Sequence, residues 1–328
     1  MFRLIKILII VLMLLVMAGQ SARAQQSQFA EAMQWFTAQK YQQAKAAFKQ
    51  LQQQDANTAW YYLGRIYYQQ GDFAGALDYF EQALTQSPNH ADEYYWLGLT
   101  NAELIKDAFF LAKPRYASAI EEAFLQAIAT EPNHLEAHIG LFYFYLSAPA
   151  IVGGSSKKAW QQIQSVDAID SHQSALLTLN YHSEQSDDNT LVEYINTQLQ
   201  EADKGKEWLF KAGLAAQQKK HYELAQRCFT QAQSPAPAVG LNYHRIASLY
   251  QLGRTAVLAE RFIKSGIMAL EQYLTETLEP GHPPKTWAKY RLSQLYRLNN
   301  DNTASQRLLN QLAQADITDP ELKALLKR

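Results

Sequence analysis

The sequence has almost no cysteine. Its 328 residues contain a single one, Cys228, which excludes a disulfide within the chain. Cys228 stands beside Phe229 in a segment with helical periodicity, and we expect a buried thiol that packs as a small apolar side chain. A disulfide between two chains and a catalytic thiol are the alternatives.

An excess of charge of either sign is also lacking. The chain carries 30 Lys and Arg against 31 Asp and Glu, a formal net charge of −1. A weakly acidic chain without a basic run argues against nucleic acid as its main partner. The sustained alternation of apolar and polar residues that marks β-strands is nearly absent, so an all-α fold is favoured.

Motifs for catalysis and for cofactors are missing as well. Neither the G-x-S-x-G nucleophile motif nor the G-x-x-x-x-G-K-[ST] phosphate loop occurs. His134 and His138 stand one helical turn apart, a spacing compatible with a metal, but their context matches neither H-E-x-x-H nor H-x-x-E-H. We therefore predict no catalytic residue, no metal site and no cofactor.

Long apolar runs are limited to the N-terminus. Arg3 and Lys6 precede the apolar residues 7–18, and an Ala-x-Ala site ends at Ala24. This pattern predicts a secretory signal peptide over residues 1–24, with Gln25 as the first mature residue. A membrane-spanning helix needs about 20 apolar residues, and the apolar run 7–18 is shorter than this. We therefore expect that the chain is exported to the periplasm and does not stay inserted in the membrane. An uncleaved anchor is the alternative.

The most informative stretch is residues 57–90, which predicts two amphipathic helices broken at Gly71 and Asp72. Apolar and small residues recur along one face of each predicted helix. The anchor residues are Trp60, Leu63, Gly64, Tyr67, Ala76, Phe80, Ala83 and Pro88. These eight occupy the signature positions of a tetratricopeptide repeat, a helix pair of roughly 34 residues, and the stretch resembles that family.

Weaker copies of the pattern cover most of the chain. They predict a right-handed α-solenoid of antiparallel, tetratricopeptide-like helix pairs with about seven units, because one pair cannot bury its apolar face alone. We expect an N-terminal repeat block over residues 25–166, a degenerate repeat with linker helices over 167–205, and a C-terminal block over 206–328. An insertion around residues 106–115 is expected to lengthen a helix or to form a protruding loop.

The resemblance implies a concave groove lined by the first helix of each pair. The second, fifth, ninth and twelfth positions of the units face it, and they include Tyr61, Arg65, Tyr68, Tyr95, Leu99 and Tyr143. Such an aromatic surface suits an extended or helical peptide, although the tyrosines could instead belong partly to the core. The Lys, Asn and Arg set with which chaperone-binding members hold a terminal carboxylate is not matched, but Arg65 alone could meet an acidic group.

The segment 149–159 is the most unusual loop. Gly153 and Gly154 permit backbone conformations closed to other residues, and Ser155 can cap a helix that starts near Lys157. Backbone N–H groups there, together with Lys157, form a possible anion-binding loop. The alternative is a tight turn between two helices. The loop weakly resembles a proline and double-glycine connection of some exported bacterial repeat proteins, including components that accompany tripartite uptake systems.

These features together predict a non-catalytic periplasmic scaffold that binds a protein or peptide partner in its groove. The alternative is a small-ligand-binding accessory protein of an uptake or envelope system. A pocket around residues 143–158 would favour that alternative, whereas a long open groove favours the scaffold.

Overall fold

The computed structural model describes residues 26–200, 205–234 and 243–327. The predicted signal peptide lies outside these residues. Helices and turns account for all the regular structure within them, and no strand occurs there. None of the helices in this part of the chain has both the length and the apolar character that a membrane span requires.

The helices are numbered in chain order. They are α1 (26–37), α2 (Tyr41–Leu51), α3 (Ala56–Gln69), α4 (Phe73–Gln86), α5 (Ala91–Asp107), α6 (Lys113–Thr130), α7 (Leu135–Ser147), α8 (Ser156–Asp167), α9 (Ser171–Gln185), α10 (Asp188–Gln198), α11 (Lys206–Gln218), α12 (Tyr222–Gln233), α13 (Tyr243–Ala259), α14 (Ile263–Thr275), α15 (Lys285–Leu298), α16 (Asn302–Ala313) and α17 (Pro320–Leu326). A 3₁₀ turn (Ala150–Val152) lies between α7 and α8.

The chain divides into two compact units at Ser171 and His172. In unit 1, α3 packs on α4, α5 on α6 and α7 on α8; in unit 2, α11 packs on α12, α13 on α14 and α15 on α16. The predicted all-α architecture of stacked helix pairs is confirmed. The stretch predicted as a degenerate repeat contains α9 and α10, which pack together in unit 2, where the Tyr194 hydroxyl donates to the Ala175 carbonyl (3.2 Å).

Local sequence signals set the ends of the helices. The Asp55 carboxylate accepts from the Thr58 N–H at the start of α3 (3.1 Å), and Asp72 caps α4 in the same way through Gly75 (2.9 Å). Gly71 follows α3 with a φ of 78°, a conformation that favours glycine. The break predicted at residues 71–72 is therefore present and has this physical cause.

A glycine in the first helix and a phenylalanine in the second bring the helices of a pair together. A Cβ on Gly64 would lie 2.7 Å from the Phe80 ring, and one on Gly98 would lie equally close to Phe124. Unit 2 repeats this contact between Gly213 and Phe229. Any side chain at these glycines would push the ring away, so the close approach requires the missing Cβ.

The same contact locates the insertion in the third helix pair. Phe80 is sixteen positions after Gly64, but Phe124 is twenty-six positions after Gly98. Compared with α3 and α4, helix α5 has four more residues after its glycine and α6 four more before its phenylalanine. The remaining two extra residues lie in the connecting turn 108–112. The insertion thus extends the hairpin and leaves the packing contact unchanged.

One helix boundary has no counterpart in the sequence pattern. The sequence of residues 256–274 predicts one longer helix, whereas α13 ends at Ala259 and α14 begins at Ile263. The chain turns through Glu260 and Phe262, whose φ angles are 49° and 59°. Neither residue type favours that conformation, and no glycine or proline marks the turn, so the sequence carried no signal for it.

Cys228 is fully buried in α12, as expected for a thiol that acts as an apolar side chain. Burial raises the pKa of the thiol to about 12. A thiol that is neutral and inaccessible in the folded chain is unreactive.

Phe124 packs against Gly98, is 2% exposed and also contacts Gly140 of α7. Its truncation should therefore destabilise the fold strongly. We expect Phe124→Ala to lower the free energy of unfolding by about 3–5 kcal/mol in urea denaturation. The neighbouring Leu125 is 45% exposed, and Leu125→Ala is the control, with an expected change within about 0.5 kcal/mol. Equal losses in the two variants would contradict this account of the packing.

Candidate peptide-binding groove

Aromatic stacking joins successive helix pairs in unit 1. The ring of Tyr62 lies parallel to that of Phe48 in the preceding pair, with centroids 4.8 Å apart. Trp96, thirty-four residues after Tyr62, stacks in the same way on Phe80, with centroids 6.4 Å apart. Both residues hold the sixth position of their units. These stacks build a continuous aromatic surface across three helix pairs.

Arg65 lies within this surface. Its guanidinium carbon is 4.8 Å from the ring centroid of Trp96, 5.0 Å from Phe36, 5.5 Å from Tyr61 and 5.9 Å from Tyr62. Ring faces carry negative charge density and attract a cation at such distances. Three helices, α1, α3 and α5, therefore contribute to the position of one positive charge.

The hydrogen-bonding capacity of Arg65 is largely unused. Its Nη1 makes one long contact with the Tyr61 hydroxyl (3.5 Å), and its buried Nε has no partner among the described residues. No carboxylate of the described chain forms an ion pair with it. A guanidinium has five N–H donors, so this half-buried cation can still receive an anionic group.

Three predicted groove tyrosines surround the same centre. Tyr68 meets Trp96 edge to face at 5.2 Å, and Tyr95 does so at 5.7 Å. Burial raises the pKa of Tyr61, Tyr68 and Tyr95, each with smaller contributions from neighbouring charges. Their hydroxyls are thus neutral near neutral pH and can donate hydrogen bonds to a ligand.

The remaining predicted groove residues extend the surface along the unit. Leu99 is partly buried on α5, and Tyr143 on α7 has 46% of its surface exposed. Trp96, the residue at the centre, was not among the predicted groove residues because it lies outside the four groove positions. The sequence feature that could have identified Trp96 is the aromatic residue at the sixth position of successive units, a position that Tyr62 holds in the preceding unit.

The predicted anion loop is a closed turn. The N–H of Gly154 donates to the Pro149 carbonyl (3.1 Å), and the N–H of Ser155 donates to Tyr145 (2.8 Å). A Cβ on Gly154 would overlap the Ala148 carbonyl at 1.7 Å. Ser155 caps α8 through the Lys158 N–H (3.3 Å), as predicted.

These bonds limit what the loop offers an anion. The N–H of Gly153 also donates within the turn, to Ala150 at 3.2 Å. The Lys158 ammonium contacts the Glu121 carboxylate (2.8 Å), whereas Lys157 is exposed. Binding of an anion through the three N–H groups would require the turn to open, and anion binding stays a prediction here.

The histidine that caps α7, His134, and the histidine within α7, His138, have separate roles. His134 accepts from the Ala137 N–H (3.2 Å) as the cap of the helix, and its Nε2 lies 3.2 Å from the Asp92 carboxylate. His138 contacts the Gln162 side chain through Nδ1 (2.7 Å). Each ring therefore links neighbouring helices.

Unit 2 contains an open cavity of about 510 Å³ that the sequence did not predict. It is lined by residues of α10 and α12, by the turn before α12, and by the end of α13 with the turn that follows it. The lining includes the cations Lys220, Arg227 and Arg261. Arg261 pairs with Glu223 at 2.8 Å, and Arg227 donates to the Asn196 amide oxygen at 2.7 Å.

Residues 36–91, which include most of the Arg65 surface, match the family model of the tetratricopeptide repeat. The predicted resemblance to the tetratricopeptide repeat family is confirmed over these residues. None of the curated proteins matches it significantly.

Several solved structures resemble the fold at low identity. The type IV pilus biogenesis factor PilW is 14% identical, with 83% of this chain and 99% of PilW covered and a TM-score of 0.43. PilF of Pseudomonas aeruginosa is 15% identical over 83% of this chain and 97% of its own, also with a TM-score of 0.43. A tetratricopeptide repeat protein of Parabacteroides merdae is 11% identical, with 93% and 98% covered and a TM-score of 0.45.

Glu93 predicts a pH dependence of stability in this region. It is 3% exposed and accepts from the Asn57 amide (2.8 Å). Burial raises the pKa of its carboxyl, although His90 and the Asn57 hydrogen bond lower it. A raised pKa in the folded state stabilises the fold below the unfolded-state pKa, and this contribution is lost as pH rises through the folded-state pKa.

We therefore expect Glu93→Gln to gain stability relative to wild type as pH increases from about 4 to about 8. Urea denaturation at both pH values measures this. The exposed Glu81 on α4 provides the control variant Glu81→Gln. A constant difference between Glu93→Gln and wild type at both pH values would show that Glu93 does not titrate in this way.

Proposed function

We propose that the protein is a non-catalytic scaffold that binds a partner protein in the groove of unit 1. The bound element is an extended or helical peptide segment with an acidic side chain. The observation that carries this proposal is the Arg65 guanidinium, which lies over four aromatic rings and forms no ion pair among the described residues.

The chemistry of the surface favours this class of ligand. A carboxylate that reaches Arg65 gains a charge-assisted hydrogen bond in a partly desolvated place, where such bonds are stronger than in water. The flanking tyrosines Tyr61, Tyr68 and Tyr95 offer apolar ring area and neutral hydroxyls. Rigid aromatic side chains and arginine are the residue types that dominate the affinity of many interfaces.

The test begins with capture of partners from periplasmic extract by the tagged protein. We expect a dominant protein partner that is lost with the triple variant Tyr61→Ala, Arg65→Ala, Tyr95→Ala, whose circular dichroism should stay helical. The single variant Arg65→Ala should bind the partner more weakly and raise the dissociation constant by about 10- to 100-fold, because a hydrogen bond to a charged group is lost.

Arg254 provides a matched control. Like Arg65, it follows a glycine that packs against the second helix of its own pair, but it lies in unit 2. Its Nη1 already donates to Gln217 and Gln251. Arg254→Ala should leave the captured partner unchanged. Retention of the partner by the triple variant, or equal losses with Arg65→Ala and Arg254→Ala, would show that the groove is not the binding site.

The second candidate function is binding of a small anionic ligand. The cavity in unit 2 supports it, because three of its lining residues are cations. A capture experiment that returns no protein, together with thermal stabilisation by small dicarboxylates or phosphate that Arg227→Ala removes, would favour this function over the scaffold.

We further propose that the protein acts in the periplasm after removal of residues 1–24. The support is the order of Arg3 and Lys6, the apolar run and the Ala-x-Ala site in the sequence. N-terminal sequencing of the protein from a periplasmic fraction should begin at Gln25. A chain that starts at Met1 in the membrane fraction would instead indicate a retained anchor.

A further inference from the structure

The turn between α5 and α6 exposes three consecutive large apolar side chains. Phe109 is 67% exposed, Phe110 is 66% exposed and Leu111 is 71% exposed. The two phenylalanine rings lie against each other, with centroids 4.7 Å apart, and so form one apolar wedge. Single exposed apolar residues are ordinary, but a contiguous exposed patch indicates an interaction surface.

The wedge stands at the end of the extended hairpin. Helices α5 and α6 each run four residues further than α3 and α4 beyond the glycine and phenylalanine contact. At a rise of about 1.5 Å per residue, this places the turn roughly 6 Å beyond the end of the neighbouring hairpin. The apolar side chains are therefore the most projecting part of that hairpin.

The turn is held in this shape by its backbone. The Ala112 N–H donates to the Phe109 carbonyl (2.8 Å), and the Lys113 N–H donates to Phe110 (3.4 Å). Pro114 lies in the first turn of α6, where it favours the helical start. The side chains of Phe109 and Phe110 are thus presented by an ordered turn.

Basic residues flank the wedge. Lys113 and Arg115 are exposed and form no ion pair among the described residues, whereas Lys106 pairs with Glu103 at 2.6 Å. Residues 106–115 contain three basic residues and one acidic residue, Asp107, a local charge of +2 that becomes +1 with Glu103 included. The whole chain has a formal charge of −1, so the excess of positive charge is local.

We propose that this tip, residues 106–115, inserts its apolar wedge into the headgroup region of an anionic lipid bilayer. Apolar aromatic and leucine side chains with a basic rim are the composition of surfaces that bind at the membrane interface. The long side chains of Lys113 and Arg115 can reach the lipid phosphates while Phe109 and Phe110 enter the acyl boundary.

A bilayer fits the tip better than a second protein does. A stable protein interface covers about 800 Å² on each partner, which a five-residue convex turn does not supply. A lipid surface needs no complementary pocket and accepts a small projecting wedge. The same reasoning disfavours a second copy of this chain as the partner.

A site-specific dye tests the insertion directly. The native Cys228 is buried, and its thiol pKa is raised to about 12, so it does not label in the folded protein. The full-length variant Phe110→Cys is labelled with the environment-sensitive dye NBD. The control is Met268→Cys in unit 2, because Met268 is 69% exposed, close to the exposure of Phe110. The dye reports its own surroundings, so attachment through another part of the chain does not mimic insertion of the tip.

With vesicles of equal parts phosphatidylglycerol and phosphatidylethanolamine, we expect NBD emission to rise and shift to the blue at position 110 and to stay unchanged at position 268. Adding Lys113→Gln and Arg115→Gln should lower the apparent partition coefficient by about 25-fold, roughly fivefold for each charge. Replacing Phe109 and Leu111 with serine should lower it by more than about tenfold.

Three results would overturn the proposal. One is unchanged emission at position 110 with the anionic vesicles. Another is an equal change of NBD emission with pure phosphatidylcholine vesicles, which would show that lipid charge plays no role. The third is a rise that depends on protein concentration without vesicles, since this would identify a second copy of the chain as the partner.

Discussion

The structure depends on one short-range contact, the approach of an aromatic ring to a glycine in the opposite helix. Gly64 with Phe80, Gly98 with Phe124 and Gly213 with Phe229 fix the separation and the register of their helix pairs. Because the ring fills the space of an absent Cβ, neither helix can slide without a clash or a void. Most of the Arg65 surface and the whole of the tip at residues 106–115 lie on the two pairs of unit 1 that are fixed in this way.

The candidate groove follows from the next level of packing. Once each pair is fixed, Tyr62 and Trp96 can stack on the phenylalanine of the preceding pair. The same rings then serve two purposes, since their faces also hold the Arg65 guanidinium. The core and the candidate binding surface are therefore continuous in unit 1. From the sequence, lining the groove and packing in the core are alternatives for the tyrosines. One aromatic residue can do both.

Much of the fold could be predicted because its signals are local. The anchors of residues 57–90, the Gly71 break and the Asp72 cap each act through neighbours in sequence. Trp96 was missed as the centre of the groove because its role depends on a ring in the preceding pair. The turn at residues 260–262 was missed because Phe262 adopts a positive φ that its own residue type does not favour. The recurrence of an aromatic residue at the sixth position marked Trp96, but the ring on which it stacks follows only from the structure.

The extension of α5 and α6 has a consequence for how such a protein can change. Four added residues amount to about 1.1 turns of helix, so the lengthened helices return to nearly the same rotational phase. The contact of Gly98 with Phe124 is preserved below the added turns, and the exposed residues 109–111 do not take part in it. The tip can therefore be lengthened, shortened or rewritten almost independently of the stability of the unit. In this hairpin, new surface has been added by whole turns of helix between the packing contact and the loop.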